Sequence, residues 1–490
     1  MCGFLGIISK EGDVSYDLYN GLLTLQHRGQ DSAGILTFNG EELILEKGVG
    51  FVNDLFNEKN LPKLKGNLGI AHVRYPTQAS DPNKNIHPFV TYTPFGIGMC
   101  NNGNLINYPQ LKEELQKKLH RRMQSDCDAE LELKIFAHEL EKEIKEGDVP
   151  ADGLFAAVGK TMDRLNGSYS IVSLIADKGL LAFRDPLAIR PLVFGIKRSN
   201  GKVLSYGFAS ETVALDTLGF EIVKDLEPGE AIFVDTAFKV HSKVVRKGER
   251  KHCMFEWVYF ARADSVIENK GVYEVRLNLG RELAELWKKS GKEADVVIPV
   301  PDTSRTAAIS FAQEVGLPYV EGLLKNRYIA STFIMPNQQK RETSVRLKLN
   351  PVIREIKGKK IILIDDSIVR GTTSKRIIDM VRKAGAKEIH FLVTCPPLKF
   401  PCFYAIDFAN KTELVAADRE TEEIKKQIGA DTLIYQTIEG LDKSIGLGDK
   451  LCNACLHGKY PTPLSEEQAK LLGETRARER GEIIPLKASA

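Results

Sequence analysis

Cys2 is the first residue whose position suggests chemistry, because it directly follows the initiator Met. A small second residue normally allows that Met to be removed, which would leave Cys2 with a free α-amine. An α-amine has a pKa of about 8, well below that of a lysine, and it lies within reach of the thiol of the same residue. One residue can therefore supply a nucleophile and the base that activates it. The alternative is a buried residue at the start of a strand, which the position alone favours.

Three polar segments could complete such a site, and each taken singly is also typical of a structural loop. They comprise residues 26–34, 71–77 and 100–105. Arg74 stands at a predicted strand end. Asn102 carries an amide side chain next to Gly103, whose N–H can be approached closely, so the pair could stabilise an oxyanion.

The most specific segment in the chain is a predicted strand–loop–helix over residues 360–373. The strand ends in Asp365 and Asp366, and a loop of hydroxyl residues with Gly371 leads into the helix. Loop amides and a helix N-terminus bind anions, and adjacent carboxylates can hold sugar hydroxyls or Mg²⁺. The alternative is an acidic turn whose threonines only cap the helix.

The chain has 8 cysteines in 490 residues, too few for a secreted protein built on disulfides. Cys452 and Cys455 form a Cys-x-x-Cys pair, a spacing that suggests a metal before a disulfide. Two further thiols would be needed to complete four ligands. Zn²⁺ or free, buried thiols are the alternatives to a cluster.

Composition predicts a globular protein of two to four domains, at roughly 100–200 residues each. Hydrophobic residues make up 43% and charged residues 27%, which excludes a wholly disordered chain. The net charge of +3 is too small to indicate nucleic acid or a membrane surface. No apolar run approaches the roughly 18–20 residues of a spanning helix, and the N-terminus lacks a signal peptide. We therefore expect a soluble cytoplasmic protein.

The elements that must position these residues fall into two groups. Short apolar segments up to about residue 240 are typical of stacked sheets, with few strong helices beyond 16–26 and 128–144. Later, strands at 295–300, 360–364 and 389–394 alternate with helices at 273–289, 303–315 and 373–383, which predicts a parallel sheet. The expected domains are residues 2–240 and 255–450, followed by a segment at 451–490 with the Cys-x-x-Cys pair and a helical tail. Residues 244–251 are expected to be a linker or an exposed strand.

The first half resembles the glutaminase domain of class II, N-terminal nucleophile, glutamine amidotransferases. The resemblance implies an αββα sandwich in which Cys2 attacks the glutamine amide and Asn102 and Gly103 form the oxyanion hole. It implies that glutamine is bound by Arg74, Thr77 and Asp128. Asn101 stands where this family often has His, and Asp126 is the competitor for the role of Asp128.

The second half resembles type I phosphoribosyltransferases, which bind phosphoribosyl pyrophosphate (PRPP) on a doubly wound parallel sheet. The resemblance implies that Asp365 and Asp366 bind ribose and metal, with Ser304 near the same Mg²⁺. It implies that PRPP is bound by Asp365, Asp366, Ser367, Ile368, Val369, Arg370, Gly371, Thr372, Thr373 and Arg327. Residues 327–346 look like the flap of that family, with Ser331 where relatives commonly have Arg; Arg305, Lys325 or Arg327 would compensate.

Joined in this order, the halves resemble the iron–sulfur branch of the amidophosphoribosyltransferase family, over about residues 2–462. The resemblance implies glutamine hydrolysis at Cys2 and passage of ammonia through an apolar channel to PRPP. The products would be 5-phosphoribosylamine, glutamate and pyrophosphate, in the first committed step of purine synthesis. It also implies a [4Fe–4S] cluster held by Cys253, Cys402, Cys452 and Cys455, with Cys395 a competitor for Cys402.

Partners follow from the same resemblance. Glutamine and PRPP are the expected substrates, purine nucleotides the expected feedback inhibitors, and a homotetramer the expected assembly, with no nucleic acid and no membrane. The alternatives are a class II amidotransferase with another acceptor, and a non-catalytic paralogue that binds PRPP or nucleotides. Only Ser331 favours the second alternative.

Overall fold

The computed structural model describes residues 2–75, 83–326, 349–404, 406, 408 and 410–479. Within these ranges no helix has the length and apolar content required to cross a membrane. Three of the expected site positions, Thr77, Arg327 and Ser331, lie outside the described residues.

The N-terminal half consists of two antiparallel sheets that pack face to face. One has the strand order β11-β9-β10-β1-β4-β2-β3 and the other β13-β12-β8-β7-β6-β5. The strands are β1 (Gly3–Ser9), β2 (Ser32–Phe38), β3 (Leu43–Val49), β4 (Leu68–Arg74), β5 (Phe89–Thr91), β6 (Ile97–Leu105), β7 (Gly167–Ile175), β8 (Gly179–Arg184), β9 (Val193–Ser199), β10 (Lys202–Ala209), β11 (Glu221–Asp225), β12 (Glu230–Asp235) and β13 (Val240–Val244). Side chains such as Phe4, Leu36, Ile70 and Val172 fill the space between the sheets.

Helices cover the outer faces of both sheets, which completes the expected αββα sandwich. The helices of eight or more residues are Ser15–Leu25, Tyr108–Lys117, Asp128–Glu141 and Ala151–Arg164. Central strands such as β1, β4 and β7 are buried along their whole length because a helix layer lies on one face and a sheet on the other. The predicted helices at 16–26 and 128–144 are confirmed, but the expectation of few others was wrong.

The second half contains a four-stranded parallel sheet of order β17-β20-β21-β22. Its strands and the smaller pairs around it are β14 (His252–Cys253), β15 (Val266–Ile267), β16 (Lys270–Gly271), β17 (Val296–Pro299), β18 (Leu323–Lys325), β19 (Leu349–Pro351), β20 (Lys360–Asp365), β21 (Glu388–Val393), β22 (Thr432–Tyr435) and β23 (Leu451–Cys452). The uninterrupted apolar run of β20 is buried because separate cores cover the two faces of the sheet. The doubly wound architecture is therefore confirmed.

Helices alternate with these strands as predicted. Those of eight or more residues are Val272–Lys289, Arg305–Val315, Thr372–Lys383, Thr421–Ile428, Ile438–Ile445 and Glu466–Glu479. A π-helix at Glu256–Phe260 lies at the junction of the halves. The C-terminal β23 pairs in parallel with β14, with Cys452 opposite Cys253. Residues 451–457 therefore pack against the chain that leaves the first half.

Candidate active sites

Asn102 and Gly103 lie on β6, in a stretch that has a paired strand on one side only among the described residues. β5 pairs with β6 only as far as Phe89, which stands opposite Met99. Tyr169 on β7 stands opposite Gly103, but its N–H and C=O both bond to Asp185. Since bonded and non-bonded pairs alternate along an antiparallel ladder, the Gly103 N–H points away from β7, toward the open edge.

The side chain of Asn102 is fully buried, and within the described residues neither its nitrogen nor its oxygen has a hydrogen-bond partner. An orphaned buried amide costs about 1–3 kcal/mol unless a ligand satisfies it. Gly103 tolerates no side chain, because a Cβ there would lie 2.0 Å from the Ser168 carbonyl oxygen. The two residues expected to form an oxyanion hole are thus an unsatisfied donor and a backbone amide beside an open edge.

Cys2 lies at the start of β1 and is partly exposed. Arg28 Nε donates to the Cys2 carbonyl oxygen at 2.9 Å, which fixes the backbone of the nucleophile. Burial raises the pKa values of the Cys100 and Cys127 thiols, and their proximity to Cys2 raises them further. Cys100 and Cys127 therefore lie near the site as neutral thiols.

Arg74 and Asp128 form the polar side of this site. Arg74 ends β4 and is buried. Asp128 begins the helix Asp128–Glu141 and accepts from the Leu105 N–H at 3.2 Å and the Ala129 N–H at 3.0 Å. Burial raises the pKa of Asp128, and the Arg74 charge partly opposes that shift. Asp126 instead forms an ion pair with Lys112 at 2.7 Å, which favours Asp128 as the residue facing the site.

The acidic pair of the second half lies at the carboxyl end of β20. Asp365 is buried, and burial together with the charge of Asp366 raises its pKa well above the usual value. Burial raises the pKa of Asp366 to about 6, although the Ser367 hydroxyl and the Arg276 charge lower it. Ser367 Oγ donates to Asp366 Oδ1 at 2.8 Å. Two adjacent carboxylates, one buried and one partly exposed, repel each other and form a place suited to a cation.

The loop between β20 and the helix Thr372–Lys383 offers a ligand its backbone more than its side chains. Ile368 is buried in the core, so only its main chain can reach a ligand, and Arg370 is ion-paired with Glu413. Gly371 has φ +75°, a left-handed conformation that turns the chain into the helix Thr372–Lys383. The amides at that helix start suit a phosphate.

Ser304 lies in the turn between β17 and the helix Arg305–Val315. It is buried and donates through Oγ to the Val300 carbonyl oxygen at 2.8 Å. Arg305 pairs with Asp302 and with Glu321, each at 3.1 Å, and Lys325 pairs with Asp302 at 2.7 Å. The two described cations expected to compensate for Ser331 are therefore already held by carboxylates.

The π-helix Glu256–Phe260 connects the two sites. At one end Glu256 accepts from Arg28 at 2.8 and 3.0 Å and pairs with Arg190. At the other end the half-exposed Tyr259 lies near the acidic pair, and partial desolvation together with those negative charges raises the pKa of its phenol. Arg276 donates to the carbonyl oxygens of Trp257, Tyr259 and Ala261 at 2.8–3.2 Å.

Sequence reasoning did not assign roles to these junction residues. Arg28 lies in the polar segment 26–34, whereas its partners Glu211 and Glu256 stand 183 and 228 positions later in the chain. The available signal was a set of charged residues inside apolar surroundings, as in residues 255–262. Buried charges are rare unless paired, so each one predicts a partner without identifying it.

The four cysteines expected to bind a cluster line one small cavity. Its lining residues are Ile189, Arg190, Cys253, Cys402, Tyr404, Ile406, Cys452, Ala454, Cys455 and Tyr460. Among the residues that the structure describes, no three His, Cys, Asp or Glu side chains are grouped closely enough for a metal ion. Each thiolate of a four-iron cluster binds a different iron, so such thiols stand farther apart than the ligands of one ion. Cys395 lies nearby but does not line the cavity.

Two domain families match the chain in the order of its two sites. Residues 72–217 match the glutamine amidotransferase domain and residues 275–402 the phosphoribosyl transferase domain. Fold and sites thus define an N-terminal nucleophile amidotransferase joined to a type I phosphoribosyltransferase.

Relatives that align with nearly the whole chain identify the particular family. The chain is 46% identical over 470 residues to the amidophosphoribosyltransferase of Methanothermobacter thermautotrophicus, covering 95% of each, and 43% identical over 445 residues to that of Escherichia coli, covering 90% of this chain and 88% of the other. It is also similar to a solved structure of glutamine PRPP amidotransferase from B. subtilis complexed with ADP and GMP (TM-score 0.84, 38% identity, 95% and 98% coverage). The chain belongs to the amidophosphoribosyltransferase family.

Proposed function

We propose that this chain transfers the amide nitrogen of glutamine to PRPP, which makes it a pentosyl-transferring glycosyltransferase of purine biosynthesis. The observation that carries the proposal is that both sites are present on one chain and are connected by the π-helix Glu256–Phe260. The test is PRPP-dependent release of glutamate and pyrophosphate, with wild type beside Cys2→Ala. No turnover by a wild-type protein that still binds PRPP would favour the non-catalytic paralogue.

In the glutaminase half, the α-amine of a mature Cys2 takes the thiol proton and the thiolate attacks the amide carbon. The negative charge that develops on the amide oxygen is stabilised by Asn102 Nδ2 and the Gly103 N–H. Collapse breaks the carbon–nitrogen bond, and ammonia leaves with the proton held by the amine. Water then hydrolyses the thioester to glutamate and regenerates the thiol.

Arg74, Thr77 and Asp128 hold the glutamine backbone in this proposal. The Arg74 guanidinium suits the α-carboxylate, because it can bind both oxygens at once. Asp128 accepts two backbone N–H groups at its carboxylate and offers its remaining acceptor capacity to the α-ammonium. Substrate binding would thus place a second positive charge, beside that of Arg74, near the buried Asp128.

In the transferase half, ammonia attacks the anomeric carbon of PRPP as the bond to pyrophosphate breaks, with inversion at that carbon. Asp365 and Asp366 hold the ribose hydroxyls, and the amides of residues 367–373 hold the 5-phosphate. Arg327, outside the described residues, is proposed to bind PRPP as well. Ser304, Asp365 and Asp366 would hold Mg²⁺, which neutralises charge on the departing pyrophosphate. The repulsion within the acidic pair fits such a cation.

Ammonia must pass between the sites without meeting water, since water would protonate it. We propose that it travels along the junction π-helix, where Phe255 contacts both Phe260 and Phe408. Aromatic walls offer no proton donors. The buried ion pairs of Glu256 hold one end of this segment and the bonds from Arg276 hold its carbonyl groups.

We further propose a [4Fe–4S] cluster on Cys253, Cys402, Cys452 and Cys455. The shared cavity supports it, as does the Tyr404 N–H, which lies 3.5 Å from Cys402 Sγ and could donate to a bound sulfur. Iron, sulfide and zinc analysis of anaerobically purified protein tests it. We expect four irons per chain in wild type and a loss in Cys455→Ser but not in Cys395→Ser. Zinc, or no metal, would contradict the cluster.

Four further proposals concern control, assembly, location and domain limits. The B. subtilis relative was solved with ADP and GMP, which supports purine nucleotides as inhibitors of this chain. A homotetramer, a cytoplasmic location and the domain limits 2–240, 255–450 and 451–490 complete the proposal. Light scattering tests the tetramer, and limited proteolysis tests the domain limits.

A further inference from the structure

Beside the glutaminase site, two buried imidazoles occupy the place of a missing strand. If the register of β5 and β6 continued past Phe89, His87 would stand opposite Asn101. Instead, the Asn101 N–H donates to His87 Nδ1 at 3.4 Å, and His72 Nε2 contacts the Asn101 carbonyl oxygen at 3.2 Å. Both backbone groups of Asn101 are thus satisfied by rings rather than by a strand.

These bonds fix the tautomers of both rings. His87 accepts at Nδ1 and therefore carries its proton on Nε2, while His72 donates from Nε2. The rings stack with centroids 4.0 Å apart and planes 11° from parallel. Burial lowers the pKa of His72 to about 3 and that of His87 well below its usual value, so both stay neutral, as the bonds require.

A second set of contacts leads from His87 to the glutamine-binding carboxylate. His87 Nε2 lies 3.3 Å from Cys127 Sγ, and Cys127 Sγ lies 3.6 Å from Asp128 Oδ1. The thiol accepts from the ring and donates to the carboxylate. Asp128 in turn accepts from the Leu105 N–H at 3.2 Å, so the contacts return to β6 two residues beyond Gly103.

We propose that His72, His87 and Cys127 are positioning residues for glutamine hydrolysis. The stacked rings hold β6 at Asn101, Asp128 holds it at Leu105, and the Gly103 amide between these points is aimed at the developing oxyanion. His87 and Cys127 also connect the oxyanion side of the site to the side that holds the glutamine α-amine. This inference rests on the glutaminase activity proposed above.

The contact of His87 with Asn101 and the contact of Cys127 with Asp128 predict different kinetic effects. His87→Ala removes the acceptor for the Asn101 N–H and should lower kcat for glutamine hydrolysis on the order of ten- to hundredfold, because small displacements in a site have effects of that size. His87→Asn places an amide oxygen where Nδ1 was, and should recover most of kcat. Cys127→Ala should instead raise KM for glutamine several-fold with little change in kcat, and Cys127→Ser should restore KM.

Ammonia-dependent synthesis with PRPP is the internal control, because it does not use the glutaminase site. We expect it to be unchanged in all four variants, with His138→Ala as the surface histidine control. Wild-type kcat in His87→Ala, or equal losses in His87→Ala and His87→Asn, would overturn the inference. A wild-type enzyme without glutamine-dependent turnover would instead overturn the proposed function. If ammonia-dependent activity falls with the glutamine reaction, the residues are merely structural and the inference is also overturned.

Discussion

Asn102 and Asn104 lie two residues apart on β6, are both buried, and should respond to alanine in opposite ways. The Asn102 side chain has no partner among the described residues. The Asn104 side chain donates to the Phe403 carbonyl oxygen at 2.9 Å and so connects the two halves of the chain. The Asn102 side chain therefore suits a bound ligand, whereas the Asn104 side chain already contributes to the structure.

The magnitudes follow from these contacts. Asn102→Ala removes one oxyanion donor, which costs about 2.7–4 kcal/mol at the transition state, or 10²–10³ in kcat. Its effect on folding should be small, because the cavity it leaves is offset by removal of two orphaned polar atoms at about 1–3 kcal/mol each. Asn104→Ala removes a buried hydrogen bond between the two halves and leaves a cavity, and it should lower the free energy of unfolding by about 1–3 kcal/mol.

The assay compares glutamine-dependent and ammonia-dependent synthesis with denaturant unfolding for both variants. Asn102→Ala should lose only the glutamine-dependent rate and keep wild-type stability. Asn104→Ala should unfold at lower denaturant while its glutamine kcat stays within a few-fold of wild type. Wild-type glutamine kcat in Asn102→Ala, or a loss of stability there as large as in Asn104→Ala, would refute the reasoning.

Two further predictions concern stability. Glu256→Gln removes a buried counter-charge of Arg28 and Arg190 and should lower the unfolding free energy by about 3–5 kcal/mol. Glu113→Gln, in an exposed ion pair, is the matched control and should cost far less; equal losses would contradict the buried network. His72 has a folded pKa of about 3 against a usual value of 6.5, so the unfolded state takes up the proton first as pH falls. Stability from His72 is present above pH 6.5 and should fall by about 1.4 kcal/mol per pH unit as the pH drops from there toward 3. The free energy of unfolding of His72→Gln, measured in urea between those pH limits, should depend less steeply on pH than that of wild type. An unchanged dependence on pH would contradict the burial effect.

Local pattern predicted much of the fold. The apolar run of β20 and the acidic loop after it needed only a window of about fourteen residues. The helices Tyr108–Lys117 and Ala151–Arg164 escaped notice for physical reasons. The first buries only three residues, Tyr108, Leu111 and Leu115, and the second contains Gly153 and Gly159, which lower intrinsic helix propensity.

Candidate site residues could be proposed from sequence where one short segment carries the chemistry, as at Cys2, Asn102 and Asp366. They could not be proposed where function depends on pairs that form only on folding. The bonds from Arg28 to Cys2 and Glu256, and the stacked His72–His87 rings, join segments whose spacing in the chain carries no information about contact. The choice of Asp128 over Asp126 stays a prediction, and the ion pair of Asp126 with Lys112 near the surface supports it.

The central claim is that the two sites act as one enzyme, and nitrogen tracing tests it most directly. Wild-type protein would be given PRPP and glutamine labelled with ¹⁵N at the amide, in the presence of excess unlabelled ammonium, and the phosphoribosylamine would be trapped as it forms. Transfer within the chain predicts ¹⁵N in the product in amounts that match the glutamate released. A product labelled only in proportion to the mixed ammonia pool would contradict transfer between the two sites.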